Sequence, residues 1–398
     1  MNRAFTYFLF IFAYMSQHIG SGFIAITLVV LLREQGASLA ELGWLQLIIL
    51  PYSLRFLWSP LVDRFGFTHK GHFRNWLLPV QYGIMLCWLA LSQIQPLSHF
   101  PFLFAVLLLF ALMIGTQDLA LDGLACTAFS SQERLTINTI QIARGMIGNL
   151  IGGGLVILYP HLGWQNSLLI LAALSALPIF WILRYQEPTP RTTQPATLAQ
   201  SWQSLFLFWK GKAAWLAMLA LYAISFSGGF AILYPALVDG GWTMAEIGVL
   251  MNYGVIIGLV AVIVIMPINR KLPRATGSRL FTLIQMFSLL ALLPLALGHH
   301  SPIWVYMAVT ACYLSFAPMF ATNSATMMDI ASREATPTTA YTVQIAVAML
   351  FSILANMLCL QLANAFGYAS VIFLSLAAAT VASLFIPKII ERMLNDPH

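Results

Sequence analysis

Residues 101–159 read PFLFAVLLLFALMIGTQDLALDGLACTAFSSQERLTINTIQIARGMIGNLIGGGLVILY. Two apolar stretches, 101–126 and 136–159, flank a short polar joint that contains Ser130-Ser-Gln-Glu-Arg134. Each is long enough to cross a bilayer as a helix, which takes roughly 20 residues. Helices are the expected form, because backbone groups in lipid must be satisfied within the segment. Asp118, Asp122 and Arg144 nevertheless lie inside these stretches. A charge at that depth costs about 3 kcal/mol or more and points to a partner or a wet cavity.

The same pattern runs through the whole chain of 398 residues. Sixty per cent are apolar and 8 % charged, against about 25 % charged in a soluble domain. That excludes an ordinary soluble enzyme. Twelve spans are expected, near 4–31, 40–58, 76–94, 101–126, 136–159, 165–184, 213–236, 243–266, 279–297, 302–326, 338–362 and 367–387. The first apolar run carries no clear small-residue cleavage site, so it is predicted to be a retained helix rather than a signal peptide. The net charge of +6 follows the excess of cations in inner loops. With the N-terminus inside, the outer loops hold only Arg33, and Arg55 is placed at the inner end of span two. Both termini are then expected in the cytoplasm. No basic cluster stands on a soluble module, so nucleic acid is not an expected partner. Cys87, Cys126, Cys312 and Cys359 lie in apolar stretches without a paired spacing and are expected to pack as small apolar residues.

The longest joint, 185–212, begins with a Pro/Thr-rich linker. Leu198, Trp202, Leu205, Phe206 and Trp209 follow at helical spacing, which predicts a helix lying in the inner interface. It divides the chain into an N-terminal bundle, 1–184, and a C-terminal bundle, 213–398. The two halves repeat one another. Ser38-Leu-Ala-Glu-Leu-Gly43 matches Thr243-Met-Ala-Glu-Ile-Gly248, Ser130-Ser-Gln-Glu133 matches Ala331-Ser-Arg-Glu334, and Thr139-Ile-Gln-Ile-Ala143 matches Thr342-Val-Gln-Ile-Ala346. The order is the same in both halves. The fold expected is an all-α membrane protein of 12 transmembrane helices in two pseudo-symmetric six-helix bundles.

Asp118 and Asp122 are four residues apart and share a helical face. Counted at 1.5 Å per residue, Asp118 and Arg144 reach a similar depth, roughly 12 Å, and can pair. Two readings stay open. Either they form the charged wall of a translocation cavity, one aspartate taking a proton and Arg144 an anionic group, or they are an ion pair that locks two helices. Tyr14, Gln17 and Ser21 share a face of span one, with His18 a titratable neighbour. The repeat sets Asp118 opposite Met319 and Asp122 opposite Asn323. The second half therefore offers neutral groups, among them Tyr222, Asn252, Asn323 and Gln344. Gly148 and Gly152-Gly-Gly154 suit close helix packing better than phosphate binding. His69, His72, His299 and His300 lack a third ligand, so no metal is expected. No phosphate-binding loop and no nucleophile–base–acid set is present, so neither ATP use nor enzymatic catalysis is expected.

Residues 28–66 and 116–154, followed by Leu162-Gly-Trp164, resemble the AmpG-like branch of the major facilitator superfamily. That branch holds muropeptide permeases, acetyl-CoA transporters and siderophore permeases. The Gln117-Asp118-x-x-x-Asp122-Gly element, Ile140-Gln141 and Gly152-Gly-Gly154 are most like the RhtX/FptX siderophore group. The small apolar Gly123-Leu-Ala-Cys-Thr127 departs from the muropeptide permeases, and Arg144 stands two positions before the family's usual arginine. The resemblance implies alternating access to a site near the midplane, driven by the proton gradient without a cofactor. As buried polar groups in such a two-bundle plan, Gln17, His18, Ser21, Asp118, Asp122, Gln141 and Arg144 are expected on the substrate or proton pathway. The resemblance makes Asp63 and Arg64 a gate at the inner side, with Glu133, Arg134, Arg333 and Glu334 as further latch partners. The cargo so implied is a siderophore or its iron complex, imported across the bacterial inner membrane by a monomer. The alternatives are a muropeptide, another anionic metabolite, or outward movement of a siderophore or drug. A non-transporting sensor or assembly factor is the option from another class, and the short loops leave little to signal with.

Overall fold

The computed structural model describes residues 3–28, 31–32, 48, 51–52, 54–66, 71–96, 98–187, 198–242 and 244–395. Arg33, the Ser38–Gly43 repeat arm, most of predicted span two, His69, Lys70, the Pro/Thr-rich linker and Thr243 lie outside the described residues. What is described is almost wholly helical. The elements are α1 (Arg3–Gly22), α2 (Ser59–Arg64), α3 (Arg74–Leu91), α4 (Phe100–Ala128), α5 (Ser131–Arg184), α6 (Leu198–Leu207), α7 (Ala213–Asp239), α8 (Met244–Asn269), α9 (Arg274–Ala296), α10 (Pro302–Ala331), α11 (Pro337–Phe366) and α12 (Tyr368–Asn395). Predicted spans five and six run together as α5, broken at Gly163, whose φ of 66° leaves the helical region. That left-handed value favours glycine. Among the described residues, eight helical stretches are long and apolar enough to cross a membrane. Prolines such as Pro235, Pro294 and Pro318 sit within helices. Membrane helices tolerate them because neighbouring groups satisfy the freed carbonyls.

The chain divides into two compact units. The first comprises Met1–Ser130, Ile140–Leu205 and Ala331–Thr342, and the second Ser131–Thr139, Phe206–Ile330 and Val343–His398. Each half of the sequence thus lends the start of one helix, α5 or α11, to the other half's unit.

The first unit's core is aromatic and branched aliphatic. Trp88 of α3 lies 4.6 Å from Phe110 of α4 and 5.9 Å from Phe23, centroid to centroid. Gly20 of α1 fits between them, since a Cβ there would stand 2.6–2.7 Å from the Phe110 and Trp88 rings. Past Gly22 the helix widens into one π-helical turn, Phe23–Leu28. Here α1 crosses α5 at backbone contact. A Cβ on Gly148 would overlap His18, and one on Gly152 would overlap the Ile19 carbonyl. Thr27 donates to the Gly152 carbonyl at 2.9 Å. Close packing is therefore the use of these two glycines, whereas Gly154 faces open space. In the second unit α7 and α9 both pack on α12, and a Cβ on Gly228 would overlap Ser375. Large apolar side chains such as Ile263, Phe287 and Ile353 stand outward, as expected where the solvent is lipid. None of the four cysteines is in a disulfide, and all four are buried. In α6, Leu205 is buried while Trp202, Phe206 and Leu207 are exposed, leaving an apolar face suited to the interface.

Candidate functional site

The polar centre of the first unit is built from four elements. α4 supplies Gln117, Asp118 and Asp122. α1 supplies Tyr14 and Gln17, α5 supplies Gln141 and Arg144, and the short segment before α2 supplies Tyr52 and Arg55. Asp118, Asp122, Gln17 and both arginines are buried. Unpaired charge is untenable in such a place, so the partners decide what each group does.

Asp118 holds two guanidinium groups. Arg144 Nη2 lies 3.1 Å from Oδ1, and Arg55 Nη2 lies 3.1 Å from Oδ2. Tyr52 also donates to Oδ2 at 3.0 Å. Arg144 donates further to Gln17 Oε1 at 2.9 Å, and its Cζ stands 3.5 Å from the centroid of the Tyr14 ring. Arg55 stacks on Tyr52 at 4.3 Å. Asp122, one turn along α4, accepts instead from neutral groups: Gln141 Nε2 at 2.7 Å and the Tyr14 hydroxyl at 3.2 Å. Gln141 also donates to Tyr14. Beneath this centre Gln117 donates to Gln81, and Gln81 to the Ser175 carbonyl at 2.6 Å.

Arg55, expected at the inner end of span two, gains in the structure a partner that the sequence did not indicate. Its segment closes onto α4. Trp58 donates to Thr116 at 3.1 Å, and Gly115 leaves space beside Trp58, Arg55 and Tyr52. The guanidinium is thereby carried to Asp118. Two acids facing one cation on α5 were a signal that a second cation was owed, but the partner is distant in sequence. Tyr52 carried no signal of its own.

His18 packs beside Gly145 and Gly148, and Ser21 bonds back to the Gln17 carbonyl at 2.9 Å within α1. Gln344 occupies the repeat position of Gln141 but accepts from Trp215 at 2.8 Å and donates to the Met327 carbonyl at 3.1 Å. It ties helices of the second unit together. Tyr222 is buried there, Asn323 is half-buried and Asn252 is exposed.

Asp63 caps α11. Its carboxylate accepts from the Thr338 and Thr339 amides at 3.1 and 2.7 Å and from the Thr339 hydroxyl at 2.6 Å. An acid at a helix start satisfies orphan donors and meets the positive end of the dipole. Burial nonetheless raises its pKa above the usual carboxylate value, against the lowering effect of those hydrogen bonds. Arg64 is half-buried beside it, and Arg333 is exposed. Arg134 pairs with Asp329 at 2.8 Å. Asp329 also binds Arg274 Nε at 2.9 Å and the Ser131 hydroxyl at 2.5 Å, and Arg274 donates to the Ser131 carbonyl. Asp329 and Arg274 escaped the sequence reading because both sit at helix ends, where charge is common. Glu187, at the start of the linker, accepts from the Phe73 and Arg74 amides at 2.9 and 3.3 Å and so caps α3; burial raises its pKa as well.

Known proteins place this architecture. The profile of the Major Facilitator Superfamily matches residues 10–355. The anhydromuropeptide permease of Escherichia coli K12 is 29 % identical over 244 residues, 60 % of this chain and 49 % of the relative. A putative transporter AmpG 4 of Rickettsia felis is 27 % identical over 249 residues, 59 % of this chain and 60 % of that protein. The matches thus span about half the length of these curated relatives. Among solved structures, the E. coli fucose:proton symporter FucP superposes with a TM-score of 0.70 over 96 % of this chain and 97 % of its own, at 11 % identity. The human organic anion transporter MFSD10 does so with a TM-score of 0.70 over 95 % and 98 %, at 12 % identity. At such identities the likeness is one of fold. With two thirds of its length or more inside the family profile, the chain belongs to the Major Facilitator Superfamily.

Proposed function

We propose that the chain is a proton-coupled importer of an anionic, sugar-bearing solute of the muropeptide class, working in the bacterial inner membrane. The observation that carries this reading is the unequal company of the two acids on α4. Asp118 is held ionised by two arginines. Asp122 meets only neutral donors among the described residues. Asp122 can therefore take up or release a proton without breaking an ion pair. When it is protonated, two guanidiniums face one carboxylate, and the surplus cation suits an anionic group on the cargo. Arg144, already shared among Asp118, Gln17 and Tyr14, is the group best set to make that exchange.

The names of the relatives support a muropeptide as cargo. The siderophore reading rests on local motifs alone, and neither curated relative adds to it. Capping of α11 by Asp63 and clamping of α5 by Asp329 fit contacts that break and re-form in a transport cycle. The test is uptake of radiolabelled anhydromuropeptide by cells lacking their own permease and expressing this chain. Accumulation abolished by an uncoupler is expected. Absent accumulation together with ferric siderophore uptake would replace this cargo with the other.

A further inference from the structure

At the end of the second unit where α7 closes and α8 and α10 begin, a cavity of about 590 Å³ is lined by Gly240, Gly241, Trp242, Glu246, Pro302 and Tyr306, with Val249 beside them. Its volume is in the range of small-molecule sites. Sequence topology assigns this end to the outside. Gly241, with φ of 81°, turns the chain so that Trp242 faces the start of α10. Trp242 is anchored there, its Nε1 donating to the His300 carbonyl at 3.3 Å. Its ring lies 6.4 Å from that of Tyr306, tilted by 43°. Rings so close cannot sandwich a cation between them. They present adjoining faces, one bent platform. Both are half-buried, whereas neighbouring Trp304 stands exposed, as an interfacial anchor does.

Behind this platform, rings of α8, α10 and α7 pack edge to face into the unit's core and fix the position of Tyr306. Tyr306 meets Tyr253 of α8 at 5.1 Å, and Tyr253 shares a hydrogen bond with Thr310 at 2.7 Å. Gly254, the next residue on α8, admits the Tyr313 ring where a Cβ would overlap it. Tyr313 meets Phe230 of α7 at 5.8 Å, and Phe230 meets Phe316 at 5.7 Å.

The platform of Trp242 and Tyr306 has a matching ligand. The axial C–H groups of a pyranose carry partial positive charge and stack on the electron-rich faces of Trp and Tyr. The sugar hydroxyls donate to a carboxylate such as Glu246 and to backbone carbonyls. We propose that the cavity at Trp242 and Tyr306 is a saccharide subsite. The proposal rests on the sugar-bearing cargo argued above and adds which part of the chain recognises the sugar.

The test uses the intact protein in detergent, labelled with 5-fluorotryptophan, with the Trp242 signal assigned by its loss in Trp242→Phe. Chitobiose is the saccharide probe, and a free tripeptide of alanine, glutamate and lysine is the control. Chitobiose is expected to shift the Trp242 fluorine resonance saturably while the tripeptide does not. Tyr306→Leu should weaken the chitobiose response at least tenfold, and Tyr306→Phe, which keeps the ring, should retain it. No wild-type response at tens of millimolar, or an equal response to the tripeptide, would overturn the subsite. That readout stands even if Tyr306→Leu fails to fold. Uptake of anhydromuropeptide with an unmoved Trp242 signal would remove the subsite and leave the transport reading. A moved signal without uptake would do the reverse.

Discussion

Asp118 and Asp122 stand one helical turn apart on α4, and among the described residues Asp118 pairs with two arginines while Asp122 accepts from Gln141 and Tyr14. Two acids of the same type on the same face thus do different work, and the difference can be measured. Asp118→Asn leaves Arg55 and Arg144 buried against a neutral group, a loss of about 3–5 kcal/mol when one partner of a buried pair is removed. A large drop in the melting temperature of the purified protein is expected. Asp122→Asn keeps a side chain able to bond Tyr14 and costs about 1 kcal/mol. It should fold normally, exchange substrate across a membrane without a proton gradient, and fail to accumulate substrate against one.

Arg144 makes a fork that a lysine cannot reproduce. One nitrogen meets Asp118, another meets Gln17, and the plane lies on Tyr14. Arg144→Lys preserves the charge but loses the planar, two-partner geometry. The expected result is a KM for anionic substrate raised roughly tenfold to a hundredfold, since each lost charge-assisted bond is worth about 1.5–3 kcal/mol. An unchanged KM in initial-rate uptake would assign Arg144 to holding the helices alone.

Gly152 and Gly154 are two residues apart and face opposite surroundings. Gly152→Leu forces a side chain into the backbone of α1 near Ile19 and Phe23. Overpacking costs about 1–3 kcal/mol even where neighbours yield, and here the neighbour is backbone. Loss of the folded protein from the membrane fraction is expected. Gly154→Ala should express and melt like the wild type, because a Cβ there meets nothing. Fluorescence-detected size exclusion of tagged variants checks both.

Asp329 collects Arg134, Arg274 and Ser131, whereas Asp63 collects backbone and hydroxyl donors at the start of α11. Asp329→Asn removes the charge that faces the buried Arg274 and the half-buried Arg134 and should lower the melting temperature more than Asp63→Asn, which retains an acceptor for the cap. Equal shifts would show that the two arginines find other partners.

Much of the architecture follows from composition and period. Long apolar stretches in a chain with so few charges leave lipid-embedded helices as the one form that satisfies the backbone, and the ordered repeat implies two bundles. The acids on α4 and the arginine on α5 were visible for the same reason: charge inside an apolar run is too costly to be incidental. The glycines at the α1–α5 crossing were visible as small residues at helical spacing, although only the packing shows that Gly152 touches a neighbour and Gly154 does not. Tertiary structure alone decided who pairs with whom. Arg55 reaches Asp118 from 63 residues away and Arg274 reaches Asp329 across 55, because helix packing rather than spacing sets which side chains share a depth and a direction. Gln141 and Gln344 occupy one repeat position and serve different partners for the same reason. A linear pattern states that a buried charge must be compensated, and the fold chooses the group that does it.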